Sequence, residues 1–465
     1  MSGSAHPSQI PQSQPPASPA DFWHSLLRPD VELAPAFCNE LNARMRAERL
    51  VFGDRIHCPF LRPFFLTSED EQRVRAVAES IAALGERVVK QSLADPRLLA
   101  QSALSPAEER LARINPRYST SSTASRLDAF LLPNSLQFAE YNAESPAGLG
   151  YSEILANVFR ALPVMERFSQ RYTVRQLPLM KLLLSALLAS YREWGGSASP
   201  PVIAIVDWRE VPTWSEFEII QSHFQKEGVA TVLADPRDLV FKAGKLTANG
   251  QRVDLVYRRV LINDIVARPA ECAALVDAYG SGAVCVANAL TCKIPHKKSF
   301  FAVLTDEQNS ALFSPSERDL IRRHIPWTRL LADTKTARDG ESLGLLEYVR
   351  KHRENFVLKP NDEYGGTGVQ LGWEHNEDQW DAALDRALAD HSSTWVVQER
   401  IAIRREIFPM QTENGVQMRD VLVDFAPYIF RGKMAGFLTR LSSTGLANVT
   451  SGGGQVPSFV VEPKP

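Results

Sequence analysis

The sequence lacks several features that would assign it to a specialised class of protein. No uninterrupted apolar run approaches the ~20 residues that a membrane-spanning helix needs. Basic residues are not in excess, with 52 Lys and Arg against 54 Asp and Glu, which excludes whole-chain electrostatic attraction to nucleic acid. The 465 residues are 44% hydrophobic and 23% charged, as in an ordinary globular protein. We expect roughly two to four domains, with neither a membrane nor a nucleic acid as partner.

Cysteine is also sparse. The sequence has no Cys-x-x-Cys pair, and its odd, scattered cysteines argue against a disulfide framework and a structural zinc site. Residues 1–20 are rich in Pro, Ser and Gln and lack the basic and apolar segments of a secretory signal, so they are predicted to form a disordered tail. We therefore expect a cytoplasmic protein with these cysteines as ordinary thiols: Cys38, Cys58, Cys272, Cys285 and Cys292.

Hydrophobic periodicity separates regions of different architecture. Residues 69–93 have apolar residues at helical spacing, whereas 201–208 form a short apolar run that is typical of a strand buried on both faces. An amphipathic helix and a second apolar run at 229–236 complete a βαβ unit, which predicts a parallel sheet. A hairpin with Asn249-Gly250 at its turn is predicted within 241–260.

The predicted fold class is therefore α/β, with an α+β region at the end of the chain. We predict a disordered tail at 1–20, a helical N-terminal part at 21–115 and a hairpin with helices at 116–198. A βαβ domain follows at 199–292, and a last region of antiparallel strands with a Gly-rich loop at 293–465.

The strongest candidate site lies in a predicted hairpin between Arg126 and Asn142. Its two apolar runs flank Pro133-Asn134-Ser135, which favours a turn. Because side chains alternate along a strand, Glu140 and Asn142 point to one face, with Asp128 beside them and Arg126 on the same face. Two carboxylates and an amide oxygen suit Mg²⁺, and a guanidinium suits a phosphate oxygen. The alternative is an ion-pair cluster at a sheet edge.

Two weaker signals follow in the last region. Lys359 ends a predicted strand before a loop in which glycines would let backbone amides approach a polyphosphate: Gly365, Gly366, Thr367 and Gly368. A later apolar strand ends in Gln398-Glu399, which would offer polar groups to an adenine and a ribose. The alternatives are an ordinary Gly-rich turn and an ordinary strand end.

In their chain order these sites resemble a circularly permuted ATP-grasp family, type 2, which is related to the synthetase domain of glutathionylspermidine synthase. The resemblance lies in Arg126-x-Asp128 and Glu140-x-Asn142 across a short hairpin, followed more than 200 residues later by the Lys359 loop. The βαβ unit is similar to the pre-ATP-grasp domain, and the loop to the lid that covers the phosphates. Asn448 and Gly452–Gly454 resemble the late glycine segment of these families.

The resemblance implies a role for each matching residue. It implies ATP and two Mg²⁺ ions as cofactors, and Lys298 as a second nucleotide-contacting lysine, with Lys297 as the alternative. The implied catalytic residues are Arg126 and Arg440; the implied metal ligands are Asp128, Glu140 and Asn142; the implied nucleotide contacts are Lys298, Lys359, Gly365, Gly366, Thr367, Gly368, Gln398 and Glu399.

The activity implied by the resemblance is an ATP- and Mg²⁺-dependent ligation. A small-molecule carboxylate would form an acyl phosphate and react with an amine or peptide, with release of ADP and phosphate. Amidase activity is not implied, because no early Cys pairs with a convincing His and Asp. The rivals are an ATP-dependent phosphotransferase and a nucleotide-binding scaffold without turnover; the substrates and the oligomeric state stay open.

Overall fold

The computed structural model describes residues 18–52, 55–443 and 453–465. Most of the predicted tail lies outside the described residues, and so do Asn448 and Gly452. The tail prediction extends too far, because a helix begins at Pro19. Ser18 caps this helix, and its hydroxyl oxygen accepts a hydrogen bond from the backbone N–H of Asp21 at 3.1 Å.

The N-terminal region is mainly helical, as the sequence predicts, but it also contributes short strands. Its longest helix has 27 residues, follows the Thr67 cap, and packs against the central sheet described below. A strand at 64–66 pairs in parallel with a strand at the end of the chain, a contact that no local pattern can indicate. The elements are α1 (Pro19–Leu26), α2 (Pro35–Ala47), β1 (Val51–Phe52), β2 (Arg55–Ile56), β3 (Phe64–Leu66), α3 (Ser68–Ala94), α4 (Pro96–Ala100) and α5 (Pro106–Ala112).

The predicted hairpin opens the next region. Its strands are antiparallel and joined at Pro133-Asn134, with Leu132 paired to Ser135. The helices predicted after the hairpin are interrupted by one short strand that pairs with the C-terminal strand. The elements are β4 (Ala124–Leu132), β5 (Ser135–Asn142), α6 (Leu149–Arg160), α7 (Pro163–Arg171), β6 (Tyr172–Arg175) and α8 (Leu179–Trp194).

The βαβ prediction is confirmed, and the unit extends into a parallel sheet of order β13-β12-β7-β8. Asn249 and Gly250 form the predicted turn, both with positive φ (52° and 79°). The prediction of one hairpin across 241–260 is partly wrong, because Leu255–Arg258 is buried on both faces and joins the parallel sheet. The elements are β7 (Ile203–Val206), α9 (Trp214–Lys226), β8 (Thr231–Ala234), β9 (Leu239–Lys242), β10 (Lys245–Ala248), β11 (Gln251–Arg252), β12 (Leu255–Arg258), α10 (Ile262–Ala267), α11 (Ala273–Ser281) and β13 (Cys285–Ala287).

A third region carries the Gly-rich loop on a small antiparallel sheet of order β14-β19-β17-β18, here called the lid sheet. It has a core of its own around Trp380, Phe356 and Leu358. The elements are α12 (Lys293–His296), α13 (Ser299–Thr305), α14 (Pro315–His324), β14 (Thr328–Leu330), β15 (Lys335–Arg338), β16 (Glu341–Gly344), α15 (Leu345–Lys351), β17 (Phe356–Pro360), β18 (Gln370–Leu371), α16 (Glu377–Ala389) and β19 (Trp395–Glu399).

The end of the chain completes a central antiparallel sheet of order β23-β22-β21-β4-β5, with β20 also paired to β21. The strands at 415–430 and 433–442, joined at Arg431-Gly432, are antiparallel, as predicted for the end of the chain. The elements are β20 (Arg405–Thr412), β21 (Gly415–Phe430), β22 (Lys433–Ser442), β23 (Gly454–Val456) and β24 (Ser458–Pro463).

The hairpin β4–β5 lies where these layers meet. Its apolar residues join the core under α3, as Phe138 and Leu127 do, while its polar face is turned toward the lid sheet and the parallel sheet. Within the described ranges, no helix combines the length and the apolar character needed to cross a membrane.

Candidate active site

The hairpin holds its polar side chains in the predicted register. Asp128 lies opposite Glu140, and Arg126 lies opposite Asn142. The Asn142 Nδ2 donates a hydrogen bond to Glu140 Oε1 at 2.9 Å, which holds the two side chains together. The register shifts directly after Asp128, and such a bulge re-aims side chains at the edge of a site.

Asp128 is buried between two arginines. Arg126 donates from Nε to Oδ1 at 2.7 Å and from Nη2 to Oδ2 at 3.1 Å, and Arg440 donates from Nη2 to Oδ2 at 2.5 Å. Burial opposes the charged form, but the guanidinium groups of Arg126 and Arg440 outweigh it and hold the pKa of Asp128 well below its usual range. The carboxylate therefore stays ionised beside two fixed positive charges.

A further carboxylate, Asp424, completes this group and is absent from our sequence-based assignment. It lies on β21 directly opposite Arg440 on β22, and it accepts a hydrogen bond from the Arg440 Nε at 2.6 Å. Burial raises the pKa of Asp424 well above its ordinary range, Arg440 opposes this shift, and the negative charge of Asp128 adds to it. The sequence signal that would have indicated it is a single acid within the apolar run at 421–430.

The lid sheet reaches the hairpin through Lys359. Its Nζ donates to Gln398 Oε1 at 2.7 Å and to the backbone oxygen of Ala139 at 3.4 Å. Burial lowers the pKa of the Lys359 ammonium to about 8, with Glu140 opposing the shift and Lys298 adding to it. The hairpin β4–β5 and the lysine before the Gly-rich loop therefore face each other.

Of the two neighbouring lysines, Lys298 is the one that faces this space. Its Nζ lies 3.7 Å from Glu140 Oε2 and donates to the backbone oxygen of Glu363. Lys297 is buried in a different set of ion pairs, 2.7 Å from Asp362 and 3.0 Å from Glu108. The geometry favours Lys298, the primary assignment from the sequence.

These groups line a cavity of about 130 Å³, here called the lid cavity. Gln398 accepts a hydrogen bond from Lys359 but does not itself line the cavity. Gly368 does not line it either, although its neighbours Thr367 and Val369 do. The structure does not bring Glu399 there, because its side chain turns to Arg338 and lines a separate cavity beside Trp327. The lining of the lid cavity comprises Asp128, Phe130, Ala139, Glu140, Lys298, Lys359, Glu363, Gly365, Gly366, Thr367, Val369, Asp424 and Arg440.

Comparison with models of protein families shows which family the chain belongs to. The model of the family "Circularly permuted ATP-grasp type 2" matches residues 71–442, which include the hairpin, the lid sheet and both strands that carry Asp424 and Arg440. The chain belongs to this family.

Curated relatives are distant and much longer. "Putative glutamate--cysteine ligase 2-3" of Frankia alni is 25% identical over 221 residues, which make up 45% of this chain and 24% of that protein. "Putative glutamate--cysteine ligase 2-2" of Frankia casuarinae is 21% identical over 337 residues, 69% of this chain and 36% of that protein. The chain thus spans only 24% and 36% of the length of these two relatives.

Among solved structures, a glutathione synthetase-like effector from Globodera pallida in its apo form is similar. The TM-score is 0.59 at 12% identity, and the match covers 93% of this chain and 99% of that one. At this identity the likeness shows the fold alone, and the fold is the circularly permuted ATP-grasp architecture expected from the order of the motifs.

In this ATP-grasp protein a second, larger cavity adjoins the lid cavity. It measures about 350 Å³ and lies between the hairpin and the carboxyl ends of the parallel strands. Glu140, Gly365 and Arg440 line both cavities, and Arg126 and Asn142 line only the larger one. We call it the switch-point cavity, because it opens beside β7 and β12, where the order of the parallel sheet reverses.

A buried ion-pair cluster fixes the base of the Gly-rich loop, and sequence reasoning missed it. Lys293 lies 2.8 Å from Asp362 and 3.3 Å from Glu144, and Lys297 bridges Asp362 to Glu108. Burial opposes ionisation of Glu144, yet Lys293 and its other cationic neighbours lower its pKa to about 2. The same lysines hold the pKa of Asp362 below its usual range despite burial. The loop therefore starts from a fixed anchor although its glycines are exposed.

Proposed function

We propose that the chain is an ATP- and Mg²⁺-dependent ligase that joins a carboxylate to an amine through an acyl phosphate and releases ADP and phosphate. The observation that carries this proposal is the shared wall of the two cavities. Glu140, Gly365 and Arg440 separate a cavity with two lysines and a Gly-rich loop from a larger cavity of the size that holds a small molecule. A phosphate in the first would face a carboxylate in the second.

The residues present fit ATP and Mg²⁺. Lys298, Lys359 and the loop at 365–368 supply the positive charge and backbone amides that a triphosphate needs. In the described part of the chain no cluster of three or more His, Cys, Asp and Glu forms a metal site. That agrees with Mg²⁺, which is usually held by one or two carboxylates together with substrate phosphates. Asp128, Glu140 and Asn142 are the proposed ligands, and bound Mg²⁺ would neutralise phosphate charge.

The proposed work of the protein is positioning and charge neutralisation. A carboxylate oxygen attacks the γ-phosphorus of ATP, and ADP leaves; Arg126 and Arg440, already fixed by Asp128 and Asp424, neutralise the charge that develops. The amine then attacks the acyl carbon, loses a proton, and phosphate leaves. Closure of the loop at 365–368 would exclude water from the acyl phosphate. The names of the Frankia relatives, which denote amide-forming ligases, support this reaction type.

The acyl phosphate can be tested by trapping. With ATP and Mg²⁺ present, amino acids and small peptides are screened with hydroxylamine as the nucleophile, and the hydroxamate is measured beside ADP. We expect a hydroxamate in amounts equal to ADP for at least one carboxylate. ADP release with a phosphorylated product and no hydroxamate would replace the ligase with a phosphotransferase.

Two variants separate binding from chemistry. Lys359→Ala should mainly raise the KM for ATP, because the ammonium is a ground-state contact, whereas Arg126→Ala should mainly lower kcat. Lys335→Ala, on the exposed hairpin β15–β16, is the matched control and should change neither constant. The same kinetic pattern in both test variants would contradict their separate roles.

A further inference from the structure

The carboxyl ends of β7 and β12 present two buried charges to the switch-point cavity. The two strands are neighbours in the parallel sheet, with β8 beyond one and β13 beyond the other. Asp207 follows β7 directly and Arg259 follows β12 directly, and both side chains line the cavity. Crevices of this kind are where open parallel sheets bind ligands.

Asp207 is a buried carboxylate without an ionic partner. It is 8% exposed, and its Oδ1 accepts a hydrogen bond from the backbone N–H of Trp208 at 2.8 Å. No Lys, Arg or His of the described residues lies within the 4.0 Å of an ion pair with it. Burial raises the pKa of Asp207 to about 6, and the positive charge of Arg259 is the largest effect that opposes this shift. A buried carboxylate in such surroundings gains most from a ligand that brings positive charge.

Arg259 is the complementary case. It is 4% exposed, and its Nη1 donates to the backbone oxygen of Pro146 at 2.7 Å and to the Tyr257 hydroxyl at 3.1 Å. Both partners are uncharged, and the Nε is buried without a hydrogen-bond partner among the residues that the structure describes. The ion pairs of those residues include no carboxylate for this guanidinium, so it retains its charge for a bound anion.

Asp207 and Arg259 influence each other's pKa, but they form no ion pair, so each can still take an oppositely charged group of a ligand. We propose that this end of the cavity binds the ammonium group of an α-amino acid unit at Asp207 and its carboxylate at Arg259. Asp264, half-buried on the same wall, faces the ammonium as well. This proposal rests on the proposed function and narrows it: the carboxylate that is phosphorylated lies at the other end of the same cavity, beside Arg126 and Arg440.

The substrate class is therefore an amino acid or short peptide that carries a second carboxylate besides its zwitterionic end. An acidic α-amino acid is the smallest molecule with these three charges. A simple dicarboxylate lacks the ammonium, and an N-acylated amino acid has replaced it with a neutral amide, so both leave the buried Asp207 without a counter-charge.

Direct binding tests the pocket without turnover. Isothermal titration is carried out on the full chain with L-glutamate, L-aspartate and γ-glutamylglycine, each compared with its N-acetyl derivative, and glutarate is included. At least one zwitterionic probe should bind at least tenfold more tightly than its N-acetyl form. Equal affinity within a pair, or binding of glutarate alone, overturns the proposal, and so does binding by none of the probes in the absence and presence of Mg²⁺ and ADP.

Variants assign the two charges. Asp207→Asn, which keeps the size of the side chain, should weaken binding of the zwitterionic probe at least tenfold and leave the affinity for its N-acetyl form unchanged. Arg259→Gln should weaken both forms, and Arg259→Lys should partly restore them. Asp277→Asn, an exposed residue on α11, is the control and should have no effect. If Asp207→Asn binds both forms as the wild type does, the assignment fails even when the probes bind.

The failure of this proposal is distinguishable from failure of the ligase. If the protein forms hydroxamates from simple carboxylates but binds the zwitterionic probes no better than their N-acetyl forms, the proposed function stands and the zwitterion site is wrong. If the protein binds the zwitterionic probes selectively but forms neither ADP nor hydroxamate, the zwitterion site stands and the ligase proposal is wrong.

Discussion

The lowered pKa of Lys359 predicts a pH dependence of ATP binding. Burial lowers the pKa of the ammonium from its ordinary value of 10.5 to about 8, so the group is mostly protonated at pH 7 and mostly neutral at pH 9. A triphosphate beside it favours the charged form, which means that the pKa of Lys359 is higher in the complex than in the free protein. ATP affinity is then fully present below pH 8 and falls as the pH rises through 8.

The magnitude follows from the protonated fraction. With a free pKa of about 8, that fraction falls about tenfold between pH 7 and pH 9, and affinity for ATP falls by the same factor while the complex stays protonated. Lys359→Met removes the titrating group, so it should bind ATP weakly at both pH values and show little of this change. The Mg²⁺-bound triphosphate itself is fully ionised in this range. Asp424 lines the same cavity with a pKa raised to about 7, so the part of the slope that is lost in Lys359→Met is the part that belongs to the lysine.

The assay is the Kd of a non-hydrolysable ATP analogue at pH 7, 8 and 9 with saturating Mg²⁺ and constant ionic strength. Lys335→Met, a change of the same type at an exposed position, should keep the slope of the wild type. A Kd that is constant within a factor of two from pH 7 to 9, or a slope that persists in Lys359→Met, would refute the reasoning.

Two further predictions concern the metal and the loop anchor. ATP should raise the melting temperature of the protein in Mg²⁺ and raise it much less in EDTA, because a ligand that binds only the native state stabilises that state. Equal shifts of the melting temperature in both buffers would contradict the metal assignment. Lys293→Met should lower the free energy of unfolding in urea by at most about 3–5 kcal/mol, since it removes the ammonium shared by Glu144 and Asp362 while Arg258 and Lys297 stay beside them. A cost no greater than that of Lys335→Met would show that the cluster does not depend on this lysine.

The sequence predicted those parts of the site whose geometry is local. The three-residue turn predicted at Pro133-Asn134-Ser135 places Asp128 opposite Glu140 and Arg126 opposite Asn142. The hairpin reaches the same register with a two-residue turn and a one-residue bulge after Asp128, so the predicted pairing is right although the turn is shorter. The same holds for Lys359 at the end of its strand. The roles of these residues stay predictions, because proximity does not establish what they bind.

Long-range pairing is what the sequence could not provide. Asp424 belongs to the site only because β21 lies between β4 and β22, and nothing near it in the sequence indicates that neighbour. The polar strand end and the family resemblance assign Gln398 and Glu399 together to the nucleotide. Adjacent residues on a strand face opposite sides, however, and the side chain of Glu399 turns to Arg338. The predicted domain boundaries also stay predictions, since Trp23, Phe138 and Phe425 share one core although they come from three predicted regions.

The position of the site on the central sheet ties the proposed chemistry to completion of the fold. Asp128 lies on β4, Asp424 on β21 and Arg440 on β22, which are adjacent in the sheet. β21 and β22 are consecutive in the chain, whereas β4 precedes them by about 300 residues. The hydrogen bonds from Arg440 to both carboxylates exist only when β21 has paired with β4 on one side and β22 on the other. Until then the hairpin carries Asp128 with Arg126 alone, and the lid has no opposite wall. The phosphate-binding geometry can therefore arise only in the completed sheet, because residues from both halves of the permuted chain form it.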